Sequence, residues 1–191
     1  MNADLWAGGF GQAYTARNRV DWQKRVPFWN AIMTATGAET VLEVGCNAGW
    51  NLRAIREAAP AVTVAGIDVN PVAIAEAQAD GLNAALLPAT SLSLSGEFDL
   101  ALTAGVLIHI PPQDLGDVMD RIIQASRRYV LAVEYAADTE TEVLYRGHSA
   151  ALWKRPFGAM YEAKGLKMID QGFVSKADGF DDCTYWLLEK P

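Results

Sequence analysis

Glu43, Gly45, Asn47 and Gly49 fall in the stretch EVGCNAGWN, between an apolar run and the start of a helical pattern. A glycine-rich turn in that place lets backbone approach a ligand closely, and the helix start beyond it offers unpaired N–H groups. A dinucleotide site calls for G-x-G-x-x-G there, to seat a pyrophosphate. In this chain Asn47 stands at the second glycine position, and the third, counted from Gly45, is Trp50. Glu43 is a poor neighbour for a pyrophosphate and a good one for an ammonium or sulfonium ion. Asp68 closes the next apolar run, roughly 20 residues past the turn, where an acidic side chain can accept both hydroxyls of a ribose. Its other possible use is as a helix N-cap ahead of Pro71, a job for which Asn70 is the better candidate. A ligand with a ribose and a positive charge, seated over the strand ends, describes S-adenosylmethionine.

The two histidines are the next candidates. His109, in TAGVLIHIPP, follows a later apolar run. A histidine there is either a general base with a pKa near working pH or a packing residue hydrogen-bonded to backbone. His148 sits in YRGH, within a segment too long for a simple connection, and for a hydroxyl acceptor the catalytic base would be His148 or His109. Tyr145, Arg146, His148, Lys154 and Arg155 make a polar, cationic group beside Trp153 and Phe157. That group suits a carboxylate, a phosphate or a set of sugar hydroxyls, the alternative for each Lys or Arg being a solvated charged face. Asp181 and Asp182 either accept acceptor hydroxyls or mark a turn. Two histidines and no clustered carboxylates give no case for a metal.

These residues need a frame. TVLEVG, VTVAGIDV, NAALLPA, FDLALTAG and RYVLAVEY read as five strands. NLRAIREAAP, PVAIAEAQADG and PQDLGDVMDRIIQAS read as helices, punctuated by prolines and glycine in the expected places. Alternation of this kind predicts an α/β fold with a parallel sheet covered on both faces. GLKMIDQGFVS and CTYWLLEK have no helix between them and predict an antiparallel pair at one edge. The opening segment, residues 1–36, reads as one or two helices laid over the top, and residues 136–164 as a substrate-recognition insertion in a single domain spanning 1–191.

Composition narrows the partners. A net charge of -7 and a pI near 4.8 disfavour broad electrostatic contact with nucleic acid, so a small acceptor is the default. No apolar run is long enough for a membrane span and the N-terminus does not read as a secretory signal, so the expected location is the cytoplasm. Cys46 and Cys183 are far apart and suggest neither a disulfide framework nor a metal site.

VLEVGCNAGWNL, GIDVNP and FDLALTAGVLIHIPP, in this order, resemble the successive motifs of class I S-adenosylmethionine-dependent methyltransferases. LWAGGFGQAYTARN, YRGHSAALWKRPFGAMYE and DQGFVSKADGFDDCTYWLLEK resemble, more narrowly, the methylases associated with pseudaminic acid biosynthesis. The chain differs from that group at Pro156, where an acidic residue is usual, and at Ala137-Asp138, near a usual Asn-Pro. The resemblance implies a seven-stranded, mostly parallel sheet with an antiparallel last strand. It also implies methyl transfer to an oxygen or nitrogen of a small metabolite such as a sugar or nonulosonic-acid compound. Carried over by position, Gly45, Asn47 and Gly49 would line the methionine part of the donor, with Glu43 facing its amino end. Asp68 would hold the ribose, and Val69 and Asn70 would flank the adenosine. Thr90 or Ser91 would replace an absent Asp near the adenine amine, unless that segment is an ordinary polar loop. Ala104, Gly105 and Val106 would pass beside the methyl. Trp6 and Tyr14 would cover the donor, and Arg17 with Asn18 would meet its carboxylate. A dinucleotide-dependent oxidoreductase and a non-catalytic S-adenosylmethionine-binding protein are the alternatives.

Overall fold

The structure, a computed structural model, describes residues 3–191. In chain order the strands are β1 (Thr40–Val44), β2 (Thr63–Asp68), β3 (Asn83–Leu86), β4 (Phe98–Ala104), β5 (Ser126–Glu134), β6 (Thr141–Glu142), β7 (Trp153–Lys154), β8 (Lys167–Val174) and β9 (Cys183–Glu189). The α-helices are α1 (Ala3–Ala7), α2 (Gly9–Arg17), α3 (Val26–Thr36), α4 (Trp50–Ala58), α5 (Pro71–Ala79), α6 (Pro112–Ala125) and α7 (Phe157–Ala163). Seven strands form one sheet in the order β3-β2-β1-β4-β5-β9-β8. The pairings among β1 to β5 are all parallel, and β9 runs antiparallel to both β5 and β8. The sheet expected from the sequence is therefore present, with its antiparallel strand lying one place in from the edge.

Period-two alternation sorts the strand side chains onto two faces. Val41, Leu100, Leu102, Leu131 and Leu187 point to one face, against Trp29 and Ile32 of α3, Leu52 and Ile55 of α4 and Ile74 of α5. Leu42, Val44, Ala101, Val130 and Leu188 point to the other, against Leu115, Val118 and Ile122 of α6 and Phe157 and Tyr161 of α7. Each strand of the centre is buried on both sides, which is why these runs are almost wholly apolar.

Two of the expected boundaries shift for a packing reason. The 1–36 segment divides: α1 and α2 reach the strand ends, whereas α3 packs with Trp29 at 0 % exposure inside the core and belongs to the sheet face. The 136–164 segment divides likewise. Its first part carries the β6–β7 hairpin, and α7 is buried against Trp186 as an ordinary covering helix. Residues 1 and 2 of the expected cover lie outside the described residues.

The strand order reverses between β1 and β4, which leaves a crevice at their C-terminal ends. The turn from β1 to α4 forms one wall. Gly45, Asn47 and Gly49 all have positive φ, at 77°, 48° and 80°. A Cβ on Gly49 would stand 2.3 Å from Leu82 Cδ1, so that glycine serves both the left-handed helix start and the packing beneath it. Gly49→Ala is expected to cost about 1–3 kcal/mol from backbone strain alone, read as a lower midpoint of thermal unfolding. An unchanged midpoint would show that the turn relaxes freely.

Candidate active site

A cleft of about 370 Å³ opens over the C-terminal ends of β1, β2, β4 and β5. Its lining includes Trp6 and Tyr14 from the N-terminal helices, Gly45 and Asn47 from the turn, Asp68 to Asn70 after β2, and Ala104 to Val106 after β4. The far end is closed by His109, Tyr135, Tyr145, Arg146 and Asp181. Sequence reasoning thus assembles most of one wall and part of the other.

Asp68 holds the first wall in shape. Its Oδ2 accepts from Asn47 N–H at 2.8 Å and its Oδ1 from Asn70 N–H at 2.8 Å. Burial raises its pKa, and these backbone bonds work in the opposite direction. Asn70 is indeed the N-cap of α5, its side chain accepting from Val72 N–H at 3.0 Å. The two asparagines also meet Thr15, which is buried on α2. Thr15 Oγ1 donates to Asn47 Oδ1 at 3.1 Å and accepts from Asn70 Nδ2 at 3.1 Å. Through these bonds α2 is tied to the turn on which Asp68 acts.

Glu43 lies deeper, 2 % exposed. Oε1 accepts from Asn51 Nδ2 at 2.6 Å, and Asn51 Oδ1 in turn accepts from Arg25 Nη1 at 2.7 Å. Oε2 has no hydrogen-bond partner among the described residues. Burial pushes the Glu43 carboxyl up to about 8, with Asn51 and Arg25 opposing the shift and Asp68 adding to it. An orphaned carboxylate oxygen at a cleft wall is a seat for a cation. Arg25 and Asn51, both lining the cleft, were missed in the sequence. Nothing in the local pattern marks Arg25, which arrives from the start of α3 with its Nε held by Gly179 O at 2.9 Å.

The other wall is organised around the short turn Leu107–His109. His109 is 8 % exposed, and its Nδ1 lies 2.6 Å from Ala151 O. A carbonyl there fixes the proton on Nδ1, leaving Nε2 as the nitrogen with a free lone pair. Burial lowers the His109 pKa to about 4, so the ring is neutral at physiological pH. Trp6 packs on it with 4.4 Å between ring centroids, and Tyr145 at 5.2 Å. Both readings of this histidine thus meet in one residue, packed and bonded to backbone yet lining the cleft.

Several expected residues stand elsewhere. His148 is exposed and outside the cleft lining, its ring edge-on to Phe10 at 5.2 Å. It ends a tight hairpin in which Tyr145 and His148 exchange both backbone bonds and Arg146 and Gly147 take positive φ, the twist-compatible form of a two-residue turn. Arg155 is fully buried and structural. Its Nε bonds Glu140 at 2.7 Å and its Nη1 bonds Leu107 O at 3.1 Å, so it does not reach the cleft. Lys154 lies near the ring of Tyr135 and outside the lining. Asp182 marks the turn, accepting from Lys176 N–H at 3.1 Å, whereas Asp181 faces the cleft. Arg17 is exposed over the rings of Phe10 and Tyr14. Asn18 does line the cleft and donates to Tyr14 Oη at 2.8 Å. Thr90 and Ser91 are exposed, and their neighbours Leu87 and Ala89 line the cleft instead. Gly49 packs under the turn and is not part of the lining.

Residues 41–128 match a family model described as a methyltransferase domain. That stretch runs from β1 into β5, so it contains Glu43, the Gly45–Gly49 turn, Asp68 and His109, and excludes α1, α2, the β6–β7 hairpin and β9. Solved methyltransferases share the fold. The 1,6-didemethyltoxoflavin-N1-methyltransferase of Burkholderia thailandensis, crystallised with 1,6-didemethyltoxoflavin and S-adenosylhomocysteine, superposes with a TM-score of 0.75 at 18 % identity, over 94 % of this chain and 85 % of that one. Magnesium protoporphyrin IX methyltransferase of Synechocystis PCC 6803, with bound S-adenosylmethionine, gives 0.74 at 16 % identity, over 100 % and 95 %. The N-methyltransferase NodS of Bradyrhizobium japonicum WM9 gives 0.66 at 19 % identity, over 88 % and 96 %. No curated protein matches the sequence. The fold is the class I methyltransferase fold. Among the described residues no helix is long and apolar enough to cross a membrane.

The buried Glu43 carboxyl makes a prediction about the stability of the folded chain. Its pKa is raised on folding from 4.5 to about 8. The folded state therefore holds the proton more tightly, and this group's contribution to stability is complete below pH 4.5 and lost as pH rises through about 8. Glu43→Gln keeps the shape without the titration. Its thermal midpoint is expected to exceed the wild type's at about pH 8.5 and to match it near about pH 4.5. Parallel curves for the two proteins would remove Glu43 as the cause.

Proposed function

We propose that the chain is an S-adenosylmethionine-dependent methyltransferase acting on an oxygen or nitrogen of a small metabolite. The observation that carries this reading is the pairing, in one cleft, of Asp68 at the end of β2 with the orphaned Oε2 of Glu43 on β1. The first suits a ribose diol and the second an ammonium group. A carboxylate has about four lone-pair sites, so Asp68 can receive two hydroxyls while keeping its bonds to Asn47 and Asn70. Asn18, expected in this role together with Arg17, would meet the donor carboxylate, with Arg25 in place of the exposed Arg17. Val69, Leu87 and Ala89 would flank the adenine.

When bound, the donor supplies an electrophilic methyl on a sulfonium. The chain's own contribution is alignment in a dry site. Trp6 and Tyr14 cover the cleft from above, and the backbone of Gly105 and Val106 walls the transfer path. His109 Nε2 would accept a hydrogen bond from the attacking hydroxyl or neutral amine and so orient its lone pair, the proton passing to solvent after the methyl has moved. The acceptor half offers His109, Tyr135, Tyr145 and Asp181, a set rich in hydroxyl-pairing groups. Together with the resemblance of residues 145–162 and 170–190, this supports a polyhydroxylated acceptor of the sugar or nonulosonic-acid class. Arg146 at the rim would meet a carboxylate on it.

Isothermal titration with S-adenosylhomocysteine, with NAD as control, tests the donor. Micromolar binding of the first and none of the second is expected; NAD binding alone would overturn the reading. Asp68→Ala is expected to weaken S-adenosylhomocysteine at least about tenfold, or about 1.4 kcal/mol. Glu43 adds a pH signature. The free protein holds Glu43 protonated at pH 7, and an ammonium seated on Oε2 favours the ionised form. Binding at pH 7 is then expected to release a proton, measured by titration in buffers of different ionisation enthalpy. Affinity should rise as pH approaches about 8, and Glu43→Gln should abolish both effects.

A further inference from the structure

We propose that Glu134 is a positioning residue, which together with Arg155 clamps the Val106–His109 turn and so sets the wall along which the methyl passes. The role rests on the methyl-transfer reading above. Glu134 is the last residue of β5 and is 0 % exposed. Its Oε1 accepts from Val106 N–H at 3.1 Å and Leu107 N–H at 3.1 Å, and its Oε2 faces Ile108 N–H at 3.4 Å. These are the donors at the start of a 3-10 turn, which have no partner within the turn itself. From the opposite side Arg155 Nη1 donates to Leu107 O at 3.1 Å. Both side chains of this clamp are fully buried, and each grips backbone of the one segment between β4 and α6 that lines the cleft.

The geometry transmits to the site through two residues. Val106 follows Gly105 along the cleft, and a Cβ on Gly45 would stand 2.3 Å from Val106 Cγ2, so the turn's height also sets the turn after β1. His109 ends the clamped segment, and its Nδ1 is pinned to Ala151 O. Shifting the clamp therefore moves both the wall and the histidine.

A carboxylate in this place is also protonatable. Burial raises Glu134 to about 7, against the opposing effect of its N–H donors. The groups around it are Thr103 of β4, Tyr161 of α7, Cys183 of β9, Arg155 and His109. Burial keeps the Tyr161 phenol and the Cys183 thiol neutral, the latter at about 12, and His109 stays neutral down to about 4. Among these neighbours Glu134 alone changes charge near neutrality. A protonated Glu134 carries the proton on one of the two oxygens that accept these N–H bonds, which weakens the bonds to that oxygen and loosens the clamp.

The test follows the amides of Val106, Leu107 and Ile108 by NMR in the 15N-labelled full chain, from about pH 5.5 to about pH 9. The three are expected to titrate together with one midpoint near 7 in the wild type, and not in Glu134→Gln. Glu134→Gln is also expected to weaken S-adenosylhomocysteine at about pH 8.5 by about tenfold, with Glu134→Asp recovering part of the loss. Amide shifts of Val106, Leu107 and Ile108 that are the same in Glu134→Gln as in the wild type would overturn the clamp, as would unchanged affinity in Glu134→Gln. If Glu134→Gln does not fold, Glu134→Asp decides, with the same three amides expected to shift together and affinity to fall part of the way. Wild-type binding of S-adenosylhomocysteine separates the two claims: amides that titrate in a protein that binds none would leave the clamp standing and remove its role in methyl transfer.

Discussion

The Asp68 carboxylate accepts one backbone N–H from the turn after β1 and another from the start of α5, and the geometry of the cleft follows from those two bonds. They pin Asn47 in its left-handed conformation and Asn70 at the helix cap, and these two side chains in turn hold Thr15 of α2. The N-terminal helix α2 is thus attached to the sheet beside Asp68. On the proposed reading, a ribose taking up Asp68's remaining lone pairs would sit next to the bonds that hold α2.

The second wall is built by the opposite device. No ligand-facing carboxylate organises it; a buried one does. Glu134 and Arg155 grip the Leu107–His109 turn, and His109 spends Nδ1 on Ala151. These bonds weld the segment after β5 to the segment after β4, so the hairpin carrying Tyr145 sits on a fixed base. The aromatic contacts of Trp6 with His109 and Tyr145, and of Phe10 with His148, are softer. Each such pair adds only about 0.5–1.5 kcal/mol beyond burial. Opening of the cleft is accordingly expected on the α1–α2 side, held by aromatic rings, Thr15 and the exposed Arg19–Glu76 ion pair, and not at the welded hairpin.

Much of this was legible in the sequence because it is local. The apolar runs of β1, β2, β4 and β5 are buried on both faces and cannot be mistaken for amphipathic helices. Asp68 and the Gly45–Gly49 turn are marked by type and spacing, and Asn70 by the proline that follows it. What failed to show was long-range. Arg25 reaches Asn51 across 26 positions and Gly179 across 154, and Glu134 reaches Val106 across 28. In sequence each looks like an ordinary residue at the end of an element. The errors in the Tyr145–Arg155 block have the same origin. Arg155 and His148 have the side chains of a substrate site, but Glu140 and the carbonyl of Leu107 absorb the first, and the two-residue hairpin turns the second outward.

The charges of the cleft then bear on which acceptor it prefers. On the donor side Glu43 and Asp68 are matched by Arg25 and by backbone N–H groups, and burial favours the neutral form of both carboxyls. On the proposed acceptor side the lining carries the carboxylate of Asp181 and, at the hairpin tip, the guanidinium of Arg146. Arg146 is exposed and free to swing, so a carboxylate it meets lies at the mouth, not beside the methyl. On the proposed reading, the groups next to the transfer path would be the neutral His109 and the phenols of Tyr135 and Tyr145, which pair with hydroxyls without imposing charge. An acceptor that enters with its reacting hydroxyl or neutral amine first, and leaves any acidic group at the rim, satisfies both ends. The reverse orientation would bury an anion against Glu134's side of the fold, where the nearest guanidinium, Arg155, is already committed to Glu140 and Leu107.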